Sequence, residues 1–283
     1  MVNNLDVVKK NELIILKEIK RICEKYNLTY FLCGGTCLGA VRHKGFIPWD
    51  DDIDIAMPIE DLKKFKIICD KEFNGKFFYQ DFETDINYYY PFTKIRMNNT
   101  TFITYNSQNH HIHQGFWVDI FPIVKKSKSK FINRTRSALL RFSKTFQMND
   151  FMNGYKPIRD EFGDKKVKMI KFFGSFPTRI GVLFHKFLLS LSMKNPKPGD
   201  DLYLVFMNFL DVPPNIYSEL IDCIFEDDQF KIPKEYDKYL TMKYGEYVKL
   251  PPIEERNTHS AIIIDEKMIT LNILIKGMKD YDS

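Results

Sequence analysis

Asp50, Asp51, Asp52 and Asp54 crowd into one short stretch, and a further aspartate, Asp119, stands inside the apolar run Phe116-Trp117-Val118-Asp119-Ile120-Phe121-Pro122. Asp52-Ile53-Asp54-Ile55 alternates polar with apolar residues, which predicts a half-buried strand with Asp52 and Asp54 on one face and the isoleucines in a core. The alternation carries Asp50 to the same face, behind the other two, and turns Asp51 away. Neighbouring carboxylates repel, and each resists ionising. A divalent cation between them removes that penalty. An all-oxygen donor set suits Mg2+ or Mn2+, ions that also hold substrate phosphates. Asp119, between Val118 and Ile120, is costly on a buried strand unless it is paired or metal-bound.

Just upstream, Tyr30-Phe31-Leu32-Cys33 predicts a strand, Gly34-Gly35-Thr36 a tight turn, and Cys37 to Val41 the start of a helix. Glycines let backbone N–H groups approach a phosphate, and a helix N-terminus favours an anion. Arg42 and Lys44 lie between this turn and the aspartates; a guanidinium matches phosphate oxygens with two parallel hydrogen bonds, which makes Arg42 a candidate phosphate contact. His110, His111 and His113 include a His-x-His pair. Zinc requires three or four ligands, and no cysteine lies nearby in sequence, so an exposed loop is expected there.

Strand, Gly-Gly-Thr, helix and then Asp-x-Asp on a neighbouring strand resembles the nucleotidyltransferase fold. The fuller string G-G-T-x-L-G-x-x-R-x-x-G-x-I-P-W-D-D-D-I-D-I resembles more specifically the LicD family, which includes the fukutin-related transferases. The Ile-Phe-Pro context of Asp119 is similar to the family's segment following Asp-x-Asp. So is the C-terminal pattern Tyr244-Gly245, Leu250-Pro251-Pro252, Arg256, His259. The resemblance covers about residues 10–124 and 233–260.

The resemblance implies metal-dependent transfer of a phosphorylated alcohol from a CDP-alcohol donor to a hydroxyl of a cell-surface glycan or its lipid-linked precursor. Asp52, Asp54 and Asp119 would hold Mg2+ or Mn2+ and form the catalytic set, with Asp119 either a ligand or the base for the acceptor hydroxyl. Gly34, Gly35, Thr36, Arg42, Lys94, Arg256 and His259 would bind substrate. Phosphocholine, phosphoethanolamine, glycerol phosphate and ribitol phosphate all suit such a site, and lipopolysaccharide, teichoic acid or capsule polysaccharide are the acceptors implied. Two other readings stand beside it: a nucleotidyltransferase moving NMP from an NTP, and a non-catalytic membrane-surface adaptor.

The supporting elements follow from periodicity. Asp6 to Tyr26 predicts a helix whose apolar stripe, Val8, Ile15, Ile19 and Ile22, is interrupted by Glu12; it is expected to pack on the sheet without chemistry. Ile59 to Phe73 predicts an amphipathic helix begun by Pro58. Phe77 to Phe82, Phe92 to Met97 and Thr101 to Tyr105 predict short strands, with Asn98-Asn99 as a hairpin turn, and Lys94 and Arg96 share a strand face. Phe131 to Met148 and Val167 to Met193 read as helices, Asp200 to Phe209 as a strand, Asp211 to Tyr217 as a loop, and Asp265 to Lys279 as a closing helix.

The fold class expected is therefore α+β: a nucleotidyltransferase-like mixed sheet flanked by helices, with a largely helical basic insertion. Residues 1–124 would form the catalytic core, 125–210 the insertion, and 211–283 a C-terminal segment completing the donor site. The net charge of +5 is uneven: Lys125 to Gly199 holds 18 Lys and Arg against four acids, leaving 24 basic against 33 acidic residues elsewhere. Such a segment suits an anionic membrane surface or lipid-linked phosphate. No nucleic-acid module accompanies it, so nucleic acid is not an expected partner. Neither a signal peptide nor an 18-residue apolar run occurs, and the five cysteines contain no Cys-x-x-Cys. These features suggest a cytoplasmic protein with reduced thiols and peripheral contact at the inner face of the membrane.

Overall fold

The structure is a computed structural model that describes residues 4–88, 90–104, 107–108, 110–125, 129–145, 202–204, 211–212, 216–256, 261–265 and a few positions between 168 and 191. Helix α1, Asn4–Tyr26, is followed by strand β1, Phe31–Leu32, helix α2, Gly34–His43, and strand β2, Asp54–Pro58. Helix α3, Ile59–Glu72, leads to β3, Phe77–Gln80, β4, Thr93–Met97, β5, Thr101–Thr104, and the long β6, Trp117–Lys125. Helix α4, Lys130–Thr145, is followed by β7, Leu202–Leu204, β8, Asp211–Val212, the hairpin of β9, Leu220–Phe225, and β10, Asp228–Pro233, then helix α5, Tyr236–Tyr244, and β11, Ala261–Asp265.

The main sheet runs β1-β2-β6-β4-β3, with β7 and β8 added beyond the far end of β6. It is mixed: β2 and β6 are parallel, and the other pairs are antiparallel. Helix α1 packs on β4 and β6, α3 on β2 and β6, and α2 on β2. The core joins Ile15, Ile19 and Ile22 of α1 to Ile55, Ile95, Val118 and Ile120 of the sheet, all fully buried. This is a mixed sheet flanked by helices, as the α+β expectation has it.

Three local readings change. The glycines do not form a turn before a helix; α2 begins at Gly34 itself, capped by extended Cys33. Asn98-Asn99 does not close a hairpin, because β5 leaves the main sheet to pair with β11. Of the three histidines only His111 is exposed. His110 is buried, and His113 stacks on Phe78 with ring centroids 5.2 Å apart while its Nε2 meets Asn98 Oδ1 at 2.8 Å. The β9–β10 hairpin had no strong turn signal. It is fixed to α1 by Lys17 with Asp227 and Lys20 with Asp228, each at 2.7 Å. The expected helix Val167 to Met193 lies mostly outside the described residues, as does Asp265 to Lys279 beyond Asp265. Within Asp200 to Phe209, Leu202–Leu204 is the described strand.

Candidate active site

The sequence brings acidic and basic side chains to one line across the sheet. Asp54 on β2 is the register partner of Asp119 on β6, and Asp119 is the partner of Lys94 on β4, which in turn faces Gln80 on β3. Register partners project from the same side of a sheet, so four polar groups form a row across it. All four are buried, Asp54 at 4% exposure and Asp119 at 6%. The Lys94 ammonium donates to Asp119 Oδ1 at 2.5 Å and lies 4.4 Å from the Trp117 ring centroid, with Phe92 and Tyr90 beyond. Burial pushes the Lys94 pKa down, and the Asp119 charge draws it back up. Lys94 is thus Asp119's partner in this structure. Beside it, Arg96 is also buried, donating to Gln80 Oε1 and the Gly115 carbonyl, and burial lowers its pKa to about 10.

Asp54 is the first residue of β2. Its amide donates to Thr36 Oγ1 at 2.8 Å, and the Cys33 amide donates to its carbonyl at 3.0 Å. Thr36 therefore fixes the start of the acidic strand to the first turn of α2. Asp52 precedes the strand and is only half-buried, whereas Asp51 is buried, so the period-two alternation does not extend back through the aspartates. The two glycines let α2 approach the carboxylates. Gly34 has φ +57°, and a Cβ there would stand 2.7 Å from Asp54 Oδ2 and 3.3 Å from Lys243 Nζ; a Cβ on Gly35 would stand 2.8 Å from Asp50 Oδ2. The N-terminal end of α2 thus faces carboxylates, the charge its dipole favours. The Gly34 amide donates to the buried Tyr239 hydroxyl of α5 at 2.9 Å.

Arg42, at the end of α2, donates to His43 Nε2 at 2.9 Å and to the Tyr247 carbonyl at 2.7 Å. Arg256 lies over the Trp49 ring at 4.5 Å and donates to the Pro251 carbonyl. Burial, and then the Arg256 charge, lower the Arg42 pKa. The two guanidiniums therefore share one neighbourhood, next to the loop that carries the aspartates. Lys9 of α1 holds that loop through the Ile47 and Pro48 carbonyls. His259 lies outside the described residues.

Three residues near the row were not singled out from sequence as site residues: Glu12, Tyr239 and Lys243. Glu12 carried a signal, an acid at a core-facing step of the α1 stripe. Tyr239 and Lys243 are distant in sequence and arrive only through the packing of α5.

Among the described residues, no three His, Cys, Asp or Glu side chains stand ready to share a metal ion as they are turned here. The residue types nevertheless fit a hard divalent cation: the donor set is carboxylate, two members are register neighbours, and both oxygens of the buried Glu12 lack a hydrogen-bond donor.

The family profile described as "LicD/FKTN/FKRP, nucleotidyltransferase domain" matches residues 27–154, the span that holds α2, the aspartates and the Lys94–Asp119 pair. The match covers under half of the chain and marks this span as similar to the family. It is 28% identical over 256 residues, covering 87% of this chain and 91% of the relative, to the lipopolysaccharide cholinephosphotransferase LicD of Haemophilus influenzae. It is also 44% identical over 41 residues, 14% of this chain and 8% of the relative, to the human ribitol 5-phosphate transferase FKRP.

Proposed function

We propose that this protein is a metal-dependent transferase that moves a phosphorylated alcohol from a CDP-alcohol to a hydroxyl of a cell-surface glycan or its lipid-linked precursor. The observation that carries the reading is the Asp54–Asp119 register pair on adjacent strands, with the Gly34 end of α2 closed against it. Similarity along most of the chain to a lipopolysaccharide cholinephosphotransferase favours phosphocholine as the cargo and a lipopolysaccharide as the acceptor. The short match to a ribitol 5-phosphate transferase keeps ribitol phosphate as a second cargo. The fold is read as nucleotidyltransferase-like.

Asp52, Asp54 and Asp119 would hold Mg2+ or Mn2+, which when bound supplies a Lewis acid that draws charge from phosphate oxygens. Arg42 and Arg256 present positive charge to the donor diphosphate, and Lys243 adds a cation beside Gly34 at the N-terminal end of α2. The acceptor oxygen attacks the phosphorus that bears the alcohol, the bond from that phosphorus to CMP breaks, and the hydroxyl proton passes to a carboxylate. Asp119 serves either as that base or as the third ligand. CMP leaves, and the alcohol phosphate stays on the glycan. Such displacement is served mainly by positioning and charge.

A peripheral contact with an anionic membrane belongs to the same reading. On α4, Phe131 is 78% exposed and Ile132 is exposed beside it, with Arg134 and Arg136 one turn further on. An apolar and cationic surface of this kind suits the headgroup region. No helix among the described residues is long and apolar enough to cross a membrane.

The test is incubation with Mg2+, a lipopolysaccharide acceptor lacking phosphoalcohol, and CDP-choline, CDP-ethanolamine, CDP-glycerol or CDP-ribitol in separate arms. CMP release with matching gain of phosphoalcohol on the acceptor supports the reading. Pyrophosphate release from an NTP, with no CMP from any CDP-alcohol, replaces it with nucleotidyl transfer. Silence in every arm, with vesicle binding retained, leaves the adaptor.

A further inference from the structure

The turn of the β9–β10 hairpin grips the segment that leads into the aspartates. Glu226 at that turn has φ +57°, and Lys44, which caps the end of α2, has φ +61°. Residues other than glycine rarely hold the left-handed region, and such outliers are a reason to look for a role. The two residues are bonded to each other: the Glu226 amide donates to the Lys44 carbonyl at 2.8 Å. The Glu226 side chain lies against Gly45, and its Oε1 accepts from the Phe46 amide at 2.9 Å. Phe46 is buried, and a buried amide needs an acceptor. A Cβ on Gly45 would run into Oε1, so the glycine leaves room for the carboxylate.

Both sides of this contact are braced. Phe225, next to Glu226, packs on Phe46 with ring centroids 5.0 Å apart. Asp227 and Asp228, the next two residues, pair with Lys17 and Lys20 of α1. From α1 as well, Lys9 donates to the Ile47 and Pro48 carbonyls and lies over the Phe46 ring at 5.3 Å. The Asp50 amide donates to the Ile47 carbonyl at 2.9 Å, so the chain turns directly from the held stretch into Trp49 and the aspartates. Trp49 carries Arg256 on its ring, and the Asp50 carboxylate stands against Gly35 in the first turn of α2. Glu226 is itself exposed, and its amide and its carboxylate both bond to the backbone of this one segment.

We propose that Glu226 is a positioning residue of the candidate site: its two hydrogen bonds hold residues 44–48 in place, and through them set where Trp49, Asp50 and Asp52 stand beside α2. The inference rests on the transferase reading above and adds to it a residue that touches neither donor nor acceptor. A misplacement of about 1 Å, caused far from the reacting atoms, can cost roughly 100-fold in rate. A merely structural anchor would instead lower the melting temperature and leave the turnover of the folded protein unchanged.

The deciding experiment measures kcat for CMP release by the full chain with Mg2+ and a lipopolysaccharide acceptor, from whichever of CDP-choline, CDP-ethanolamine, CDP-glycerol and CDP-ribitol wild type turns over. Thermal unfolding is recorded alongside. Glu226→Ala removes the acceptor for the Phe46 amide, and Glu226→Gln keeps it. Lys231→Ala removes only an exposed pair with Asp222 on the same hairpin. The proposal expects kcat at least about tenfold lower in Glu226→Ala, assayed well below its melting temperature, with Glu226→Gln within about twofold of wild type and Lys231→Ala unchanged. Gly45→Ala, which drives Oε1 off the Phe46 amide, should match Glu226→Ala, and the double variant should be no slower than either. Should Glu226→Ala fail to fold, Gly45→Ala is judged by the same criterion. A Gln variant as slow as the Ala variant overturns the inference. If wild type releases no CMP from any CDP-alcohol, the transferase reading falls and takes the inference with it. If wild type is active and Glu226→Ala is equally active, the inference alone falls.

Discussion

Lys94 and Asp119 form an ion pair at 2.5 Å between register partners on β4 and β6, both buried and roofed by Trp117. A lone carboxylate on an apolar strand needs such a partner. The pair also ties a buried carboxylate of the candidate site to the centre of the sheet, so the chemistry proposed for Asp119 and the stability of the fold share one contact.

Removing one member of this pair should be costly. Lys94→Met leaves Asp119 buried without its cation, and breaking a buried pair in this way destabilises by about 3–5 kcal/mol. The double variant Lys94→Met with Asp119→Leu should recover most of that loss. Urea unfolding of the single and double variants checks both outcomes; a single variant as stable as wild type would mean that the pair carries little of the fold's stability.

Gly34 is fixed by backbone and by space. Gly34→Ala must adopt φ +57° and place a Cβ 2.7 Å from Asp54 Oδ2. The left-handed conformation alone costs about 1–2 kcal/mol. Gly75, at φ +74°, has nothing within 4 Å of its added Cβ and serves as a control. Both alanine variants should lose stability in denaturant unfolding. Only Gly34→Ala should lose CMP release, because only it displaces Asp54.

His113 makes an acid limb to stability. Burial, and then the Arg96 charge, push its pKa down to about 4 from the ordinary 6.5. The folded state therefore holds the neutral ring, and between these values the unfolded chain binds more protons. Stability from this residue is intact above pH 6.5 and is lost as pH falls toward 4, by about 3 kcal/mol at most. The ring proton shifts of His113 in an NMR titration should give a midpoint near 4. A midpoint at or above 6.5 would contradict the packing described.

Arg42 and Arg256 should act together on the donor. Arg42→Ala and Arg256→Ala are each expected to weaken CDP binding about tenfold, the effect of roughly 1.4 kcal/mol from one charge-assisted contact. Isothermal titration calorimetry at low and high salt measures this. Unchanged affinity in both variants would remove the guanidiniums from the donor site and leave them as tethers for the Tyr247 and Pro251 carbonyls.

Much of this arrangement was legible in the residues. The stripe of α1, the amphipathic α3 and the apolar runs of β2 and β6 were visible because burial imposes a period, and Asp54 and Asp119 stood out as acids within apolar strands. Other features depended on tertiary pairing. Nothing local tells that β5 turns from β4 to join β11, or that Lys94 meets Asp119. The glycines read as a phosphate turn because their spacing fits one, yet the structure uses them to bring α2 against the carboxylates of Asp50 and Asp54. Glu12 was visible as a break in a stripe, but that both its oxygens are buried without a hydrogen-bond partner appears only when α1 is laid on the sheet.

The central claim is that the Asp54–Asp119 pair serves cation-dependent phosphoalcohol transfer, and Asp54→Asn tests it most directly. The measurement is CMP release from a CDP-alcohol that wild type uses, with acceptor and Mg2+, alongside circular dichroism to verify the fold. Wild type should release CMP and stop on addition of EDTA. The folded variant should be slower by at least 100-fold, a loss of about 2.7 kcal/mol of transition-state stabilisation. A folded Asp54→Asn protein that releases CMP at near wild-type rate, or wild-type turnover that EDTA leaves unchanged, would contradict the account.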